Sequence, residues 1–514
     1  MNVAKNLENA AFYFPKRTAV IEKDREISFL ELNAVSNQIA TAMMSMGVQP
    51  GNHVALYAPN SYEWLAFYFG ALKAGAVAVT LSSLLKRDEL GRIMDNAQPH
   101  LLFLGEEQGA ELGDRKDYPY LKKVVSKEGD VPYEDLVEMG TDTFRAIDLD
   151  RHNTAAILYT GGTTGIPKGV MLTHENLNTS IQNVSHYERS THKDRALCFL
   201  PLNHVFGQVH IMNATVYSGG SLALQSSFDL EKAIETIERH KVTKFFAVPT
   251  VYIRLLTLKD LKEKLGSLRY TFSAAASMAA ELVREWKRRM DLNIYEAYGM
   301  TESASMVTYN HYYRHVIGSV GTPANNVEVQ IRDLKGNVLG AKAEGEICIR
   351  GRNIMKGYLN QPDETRSVFW DDWFRSGDIG TIDEDGYLYI VDRLKDMIIT
   401  GGENVYPREV EEILYTRPEV EECAVIGLPD KEYGERVTAF IIPKEGQQVD
   451  PTQLKSYLKT KLSPFKVPKE FIPVDELPKS GAGKILKREL KQKVLHPHPD
   501  PSPRGGGEGG GERT

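Results

Sequence analysis

Short apolar runs recur through the first half of the chain: HVALYAP (53–59), AVAVTL (76–81), LLFLG (101–105), AAILYT (155–160), SLALQ (221–225) and KFFAVPT (244–250). Each has the length and flanks of a buried strand. Helical patterns separate them. In FDLEKAIETIERHK (228–241), Leu230, Ala233, Ile234 and Ile237 fall on one face at the i, i+3, i+4, i+7 spacing. Asp229 is placed to cap its start, and His240 and Lys241 suit the negative end of its dipole. Strands alternating with helices over hundreds of residues predict α/β layers around largely parallel sheets.

The pattern changes after about residue 320. VEVQIRD (327–333), GEICIRG (345–351) and GYLYIVDR (386–393) alternate apolar and polar residues between Gly and Asp turns. Period-two alternation predicts half-buried antiparallel strands or a small barrel. After about residue 395 come a helix (408–416), two strands (422–427 and 437–443) and a second helix (454–462), a small α+β domain with its own core. The final stretch, HPHPDPSPRGGGEGGGERT (496–514), is Pro- and Gly-rich and has nothing to bury; it is predicted to be disordered. There is no internal repeat.

Composition narrows the picture. A chain of 514 residues exceeds one ordinary core, so two or more domains are expected. A net charge of -7 argues against a general nucleic-acid binder. The three cysteines, Cys198, Cys348 and Cys423, form neither a metal-ligand pattern nor a disulfide framework, which suits a reducing cytoplasm. The opening residues lack the apolar core of a signal peptide, and no apolar run is long enough to span a bilayer; any membrane contact is expected to be peripheral.

Candidate chemistry begins at YTGGTTGIPKGV (159–170), directly after a buried strand. Glycines let backbone N–H groups turn toward an anion. Thr160, Thr163 and Thr164 add hydroxyl donors and Lys168 a mobile charge. Lys168 lies between Pro167 and Gly169, so this is not the Gly-Lys-Ser/Thr phosphate loop. Alone, the stretch reads as a Gly-rich turn or as a phosphate cradle. In YEAYGMTES (295–303), Tyr298 could stack on a base and Glu302 could hold Mg²⁺, a hard cation that prefers carboxylate and phosphate oxygens, or be a solvated acid at a strand end. In the segment 373–411, Asp378 sits between glycines, Gly377 and Gly380, where it could bind ribose hydroxyls or cap a turn, and Arg393 heads a charged cluster. In LPKSGAGKILKREL (477–490), Lys484 is a surface lysine or a catalytic one; Ile485 after it excludes a phosphate loop.

In this order and at this spacing the segments resemble the adenylate-forming superfamily: acyl-CoA ligases, luciferases and peptide-synthetase adenylation domains. The resemblance runs from ISFLELNAVSNQIATAMMSMGVQPGNHVALYAPNS (27–61) to Lys484. It implies an α/β fold: a large N-terminal domain (1–394) of layered α/β subdomains plus a small β-barrel, and a small mobile α+β C-terminal domain (395–491) hinged near Lys395. A tail (492–514) would follow. It also implies site roles. Thr160, Gly161, Gly162, Thr163, Thr164, Gly165 and Lys168 would hold the phosphates of ATP, with Tyr298, Gly299, Met300 and Thr301 beside the nucleotide. Glu302 and Thr160 would hold Mg²⁺, and Asp378 and Arg393 the ribose. Lys484 would bridge the carboxylate and the α-phosphate. His204, in PLNHVFG (201–207), would border the carboxylate and gate CoA entry. Gly402, in TGGENVYPREVE (400–411), would help line the pantetheine channel. Lys466 and Lys469 would meet CoA phosphates or form a solvated basic loop. The family's usual loop has Ser where this chain has Gly161, which removes one hydroxyl.

The activity so implied is ATP-dependent activation of a carboxylic acid to an acyl-adenylate, then transfer to CoA with release of AMP. The apolar stretch FFAVPTVY (245–252) points to a fatty acid. Malonate-activating relatives carry an arginine where this chain has Ala297. A carrier-protein-loading adenylation enzyme and a luciferase-like oxidase are the alternatives. Small-molecule substrates are the expected partners; oligomeric state is not legible.

Overall fold

The computed structural model describes residues 1–160, 168–276, 278–480 and 485–495. They fall into two compact units that divide after Lys395.

The first unit contains two seven-stranded sheets. One runs in the order Ile294–Glu296, Tyr270–Ser273, Lys244–Ala247, Arg195–Cys198, Ser221–Leu224, Thr18–Glu22, Arg25–Ser28, parallel throughout except for its last pair. The other runs Gly357–Tyr358, Lys168–Thr173, Thr154–Thr160, Val77–Leu81, His53–Tyr57, Leu101–Leu104, Lys123–Val125. Four of its pairings are parallel; Lys168–Thr173 is antiparallel to both neighbours. The apolar runs are these strands, buried on both faces because helices cover both sides of a parallel sheet. The helix expected at 228–241 spans Leu230–His240. Asp229 caps it by accepting from the Lys232 N–H, Ala233, Ile234 and Ile237 are buried, and Lys241 closes it in the left-handed conformation.

The alternating segments form a five-stranded antiparallel sheet: Val327–Arg332 pairs with Gly345–Gly351, which pairs with one edge of Trp373–Ile382, while Phe369–Trp370 and Leu388–Arg393 both pair with its other edge. It positions Asp378 and Arg393 as direct partners on adjacent strands.

The second unit is built on the long antiparallel pair Val420–Asp430 and Gly434–Pro443. Side chains alternate across it. Val425, Val437, Ala439 and Ile441 pack with helices Pro407–Leu414 and Pro451–Lys459, while Ala424, Ile426 and Phe440 pack with Leu490 of the final helix Lys487–Leu495. That helix continues to Leu495, past the boundary expected at Lys491, because Lys487–Leu495 carries no Gly or Pro to end it. Residues 496–514 lie outside the described residues.

All three cysteines are buried and free; burial pushes the Cys198 and Cys348 thiols up to about 12, so neither is a ready nucleophile. Among the described residues no helix is long and apolar enough to cross a membrane.

Candidate active site

Thr160 ends one strand of the second sheet and Lys168 begins its antiparallel neighbour, and the two are register partners. Gly161, Gly162, Thr163, Thr164 and Gly165 lie outside the described residues, as does Lys484. The Lys168 ammonium pairs with the Glu364 carboxylate and stands 5.1 Å from the centre of the Tyr358 ring. The Tyr358 hydroxyl donates to Glu302 Oε1 at 3.0 Å. A basic and an acidic residue far apart in sequence thus meet around one tyrosine.

Glu302 is brought there by a tight turn. The strand Ile294–Glu296 ends, and Thr301–Ser303 makes one short 3₁₀ turn. Ala304 and Ser305 follow in positive-φ conformations. Ser303 Oγ accepts from the Met300 N–H at 3.0 Å, and Asn353 Nδ2 donates to the Met306 carbonyl at 2.6 Å. Gly299 is required: a Cβ there would sit 1.4 Å from the Ser305 carbonyl oxygen. Met300 is half-buried and Thr301 buried in the same turn.

Burial pushes the Glu302 carboxyl up. The nearby Asp378 charge adds to this, while the Tyr358 hydrogen bond and Lys168 act against it. Such a carboxylate gains from an arriving cation. Among the described residues no cluster of three or more His, Cys, Asp or Glu could form a protein-only metal cage. A single carboxylate such as Glu302 fits Mg²⁺, which takes few protein ligands and shares its remaining positions with phosphate and water.

A second group is centred on Asp378. The Tyr298 hydroxyl donates to Asp378 Oδ2 at 2.6 Å, and Arg393 Nε is 3.4 Å from Asp378 Oδ1. Burial and the Asp378 charge push the Tyr298 hydroxyl well above its usual range, so it stays a donor. Asp378 is oriented from both sides, on a strand that also holds Arg393 in register.

His204 lies in the turn before the helix Phe206–Asn213. Its backbone N–H donates to the Pro201 carbonyl at 3.1 Å, and its Nδ1 accepts from the Phe206 N–H at 3.2 Å. In the second unit, Gly402 (φ 84°) makes the turn between Ile398–Thr400 and Glu403–Val405. Lys466 is paired with Glu409, at 2.7 and 2.9 Å, and Lys469, which is exposed, lies 3.3 Å from the centre of the Tyr433 ring.

The structure therefore joins Thr160 with Lys168, Lys168 with Glu302 through Tyr358, and Tyr298 with Asp378 and Arg393. Sequence reading missed Tyr358 and Glu364. Both lie in KGYLNQPDET (356–365), whose only local signal is a Gly-Tyr pair before a proline.

The model for AMP-binding enzymes matches residues 7–359, and that for the AMP-binding enzyme C-terminal domain matches residues 409–484. The chain belongs to the AMP-binding enzyme family. A long-chain-fatty-acid–CoA ligase of Bacillus subtilis is 33% identical, over 96% of this chain and 94% of its own length. A feruloyl-CoA synthase of Amycolatopsis is 36% identical, over 93% and 96%. The ATP-bound crystal structure of MatB from Rhodopseudomonas palustris superposes with a TM-score of 0.89 at 34% identity, covering 96% of this chain and 99% of that one. This family member is an AMP-forming acid–CoA ligase. The relatives differ in the acid they are named for, so family membership fixes the reaction and leaves the acid open.

Proposed function

We propose that this chain activates an apolar monocarboxylic acid, a fatty acid in the first instance, and transfers the acyl group to CoA. The arrangement that carries the reading is the pairing of an up-shifted Glu302 with Lys168 across Tyr358, facing Asp378, which Tyr298 and Arg393 orient.

In the first step a carboxylate oxygen of the acid attacks the α-phosphorus of ATP, and pyrophosphate leaves. Two anions must approach each other. Lys168 sits where phosphate oxygens would compete with Glu364 for its ammonium, and Lys484 would meet the carboxylate and α-phosphate together. Mg²⁺ on Glu302 and Thr160 would supply further neutralising charge. Preorganised charges of this kind stabilise the transition state without reorganisation. Asp378 would accept from the ribose hydroxyls, with Tyr298 and Arg393 fixing its orientation. The Tyr298 ring, Gly299, Met300 and Thr301 would flank the nucleotide, and the 161–165 segment its phosphates. In the second step the CoA sulfur attacks the acyl carbon, and AMP leaves with the anhydride oxygen. His204 borders the path. Gly402 and its turn would enter the pantetheine channel after rotation about Lys395, where the two units divide.

The fatty-acid element rests on buried apolar side chains. Phe246 and Phe272 are buried, and Ala297 offers no cation for a second carboxylate. A panel of acids assayed for pyrophosphate release with and without CoA tests the whole reading. Release that needs an acid, and acyl-CoA only when CoA is added, is the expected result. Release that is unchanged by any acid would overturn it.

A further inference from the structure

The Lys168 ammonium is paired with the carboxylate of Glu364, 196 residues along the chain. The backbone builds this pairing. Gly357–Tyr358 lies against the strand Lys168–Thr173, and the Leu359 N–H donates to the Gly169 carbonyl at 2.8 Å, next to Lys168. The chain then turns into the short helix Pro362–Ser367. Thr365 clamps the turn: its Oγ1 accepts from the Tyr358 N–H at 2.9 Å and donates to the Gln361 carbonyl at 2.9 Å. Gly357 lets it close (φ 145°), since a Cβ there would stand 2.8 Å from Thr365 Cγ2. One stretch, 357–365, thus sets a partner for each charge of the site: Tyr358 on Glu302 and Glu364 on Lys168.

Glu364 works against the anion that Lys168 is there to meet. A polyphosphate arriving at Lys168 finds a carboxylate beside the cation, and like charges at short range repel. The pair is also a weak one. The Glu364 side chain is 39% exposed and that of Lys168 15%, and a partly exposed ion pair adds little to stability. The preceding acid differs: Asp363 is 91% exposed and pairs with Arg366 of its own helix. Fold stability gives little reason for a carboxylate at Glu364. A weak competitor on a fixed backbone has another use, because it can be displaced and can return.

We propose that Glu364 is a displaceable counter-ion of Lys168: the outer phosphates of ATP take the ammonium from it, and it takes the ammonium back as pyrophosphate departs. This rests on the ligase reading and on the place given there to Lys168. Glu302 feels the charges of both Asp378 and Lys168. A nucleotide with its ribose on Asp378 then passes Glu302 and meets Lys168 with its outer phosphates, whereas AMP stops short. In the adenylation step the new bond forms from the carboxylate oxygen to the α-phosphorus. The bond from the α-phosphorus to the bridging oxygen breaks, and pyrophosphate keeps that oxygen and its electron pair. Lys168 and Glu364 pass no proton in this; they change partners. Glu364 acts through Lys168 and is a positioning residue.

The test is calorimetric titration of the full chain with MgATP, magnesium pyrophosphate and AMP, none of which requires the acid to be known. Glu364→Gln is expected to tighten MgATP and pyrophosphate by about three- to tenfold and to leave AMP within about twofold. Glu364→Ala is a second neutral variant with the same expectation. Asp363→Asn removes an equal charge one residue away and should leave all three ligands within about twofold. A merely structural role for the pair predicts the opposite sign, looser MgATP when Glu364 is neutralised. That result overturns the proposal. So does an unchanged affinity for MgATP and pyrophosphate, an equal gain for AMP, or an equal gain from Asp363→Asn, which would mark a general field rather than competition for Lys168. A wild-type protein that binds no MgATP overturns the ligase reading itself, whereas MgATP binding that neither Glu364 variant tightens overturns this proposal alone.

Discussion

Two acidic residues in the first unit have opposite fates. Burial acts on both. Around Glu302 it wins: Tyr358 and Lys168 offset it only in part, Asp378 adds to it, and the carboxyl is pushed up. Around Glu188 burial loses: Lys244 and His210 hold the carboxyl below its usual range. One group is left short of positive charge, the other is fully matched. A site that must receive a cation and a polyphosphate needs the first condition; a core that must hold one conformation needs the second. The comparison predicts that removing charge will help stability at one place and harm it at the other.

The largest effect is expected at the matched site. Lys244→Ala leaves Glu188 buried with one charge partner fewer, and breaking a buried pair costs about 3–5 kcal/mol. Urea unfolding at neutral pH should show a loss of that size. Acidification should narrow the gap. Glu188 is depressed in the folded state, so its contribution is present above the usual carboxylate range and is lost as pH falls through its lower folded value. A loss below about 1 kcal/mol would mean that the network is not a matched one.

At the unmatched site the signs part. Glu302→Gln should lower the rate of acyl-adenylate formation by about 10²–10³. It should also hold or raise the melting temperature at neutral pH. A carboxyl raised in the folded state is at its most favourable below its unfolded value, and that stability is lost as pH rises through the folded one, so the wild type already bears the penalty at pH 7. Thermal melts of the two proteins across pH check this. A variant that loses both activity and several degrees would place Glu302 with Glu188 as a structural acid.

The two regions also differ in how far the sequence reveals them. Glu302, Asp378 and Lys168 each sit in a short motif with glycines, because a backbone that approaches an anion or turns sharply needs Gly, as at Gly299, and Arg393 heads a charged cluster. Their partners were harder to see. Tyr358 has no local signature, and its bond to Glu302 spans 56 residues. The Glu188 network was not legible at all. Its members come from the end of one helix, from a π-helix and from two strands of distant sequence, and each alone reads as a surface-type residue in an apolar run. The layers themselves were legible because apolar periodicity reports burial directly, as in Leu230–His240. The long Val420–Asp430 and Gly434–Pro443 pair was seen only in its apolar middle, because the strand ends carry charged and turn residues.

A third test measures the apolar wall. Each buried methylene contributes roughly 0.8 kcal/mol, so across a series of straight-chain acids KM should fall about three- to fourfold per carbon until the pocket is filled. A plot of log kcat/KM against carbon number should rise and then break where the tail reaches the end of the pocket. Malonate should be poor, since its second charge would be buried beside Ala297 with no partner. A flat plot, or a preference for acetate or malonate, would remove the fatty-acid element and leave the ligase standing.

The smallest effect is expected at the C-terminus, and there the expected result is none. The final helix Lys487–Leu495 buries Leu490 against Ala424, Ile426 and Phe440, and Lys491 pairs with Glu435 at 2.8 Å. Cutting within it would expose that apolar face, and removing Leu490's contacts alone would cost about 2–5 kcal/mol. Beyond Leu495 the chain continues with prolines and glycines and offers almost no apolar side chain to bury. Truncation after Leu495 should therefore leave both melting temperature and acyl-CoA formation unchanged, whereas truncation after Leu486 should lower the first by several degrees. The pair of cuts separates two ideas: that stability ends with the last buried leucine, and that the low-complexity tail docks on the enzyme. A drop of several degrees from the Leu495 cut alone would establish docking and move the boundary of the second unit outward.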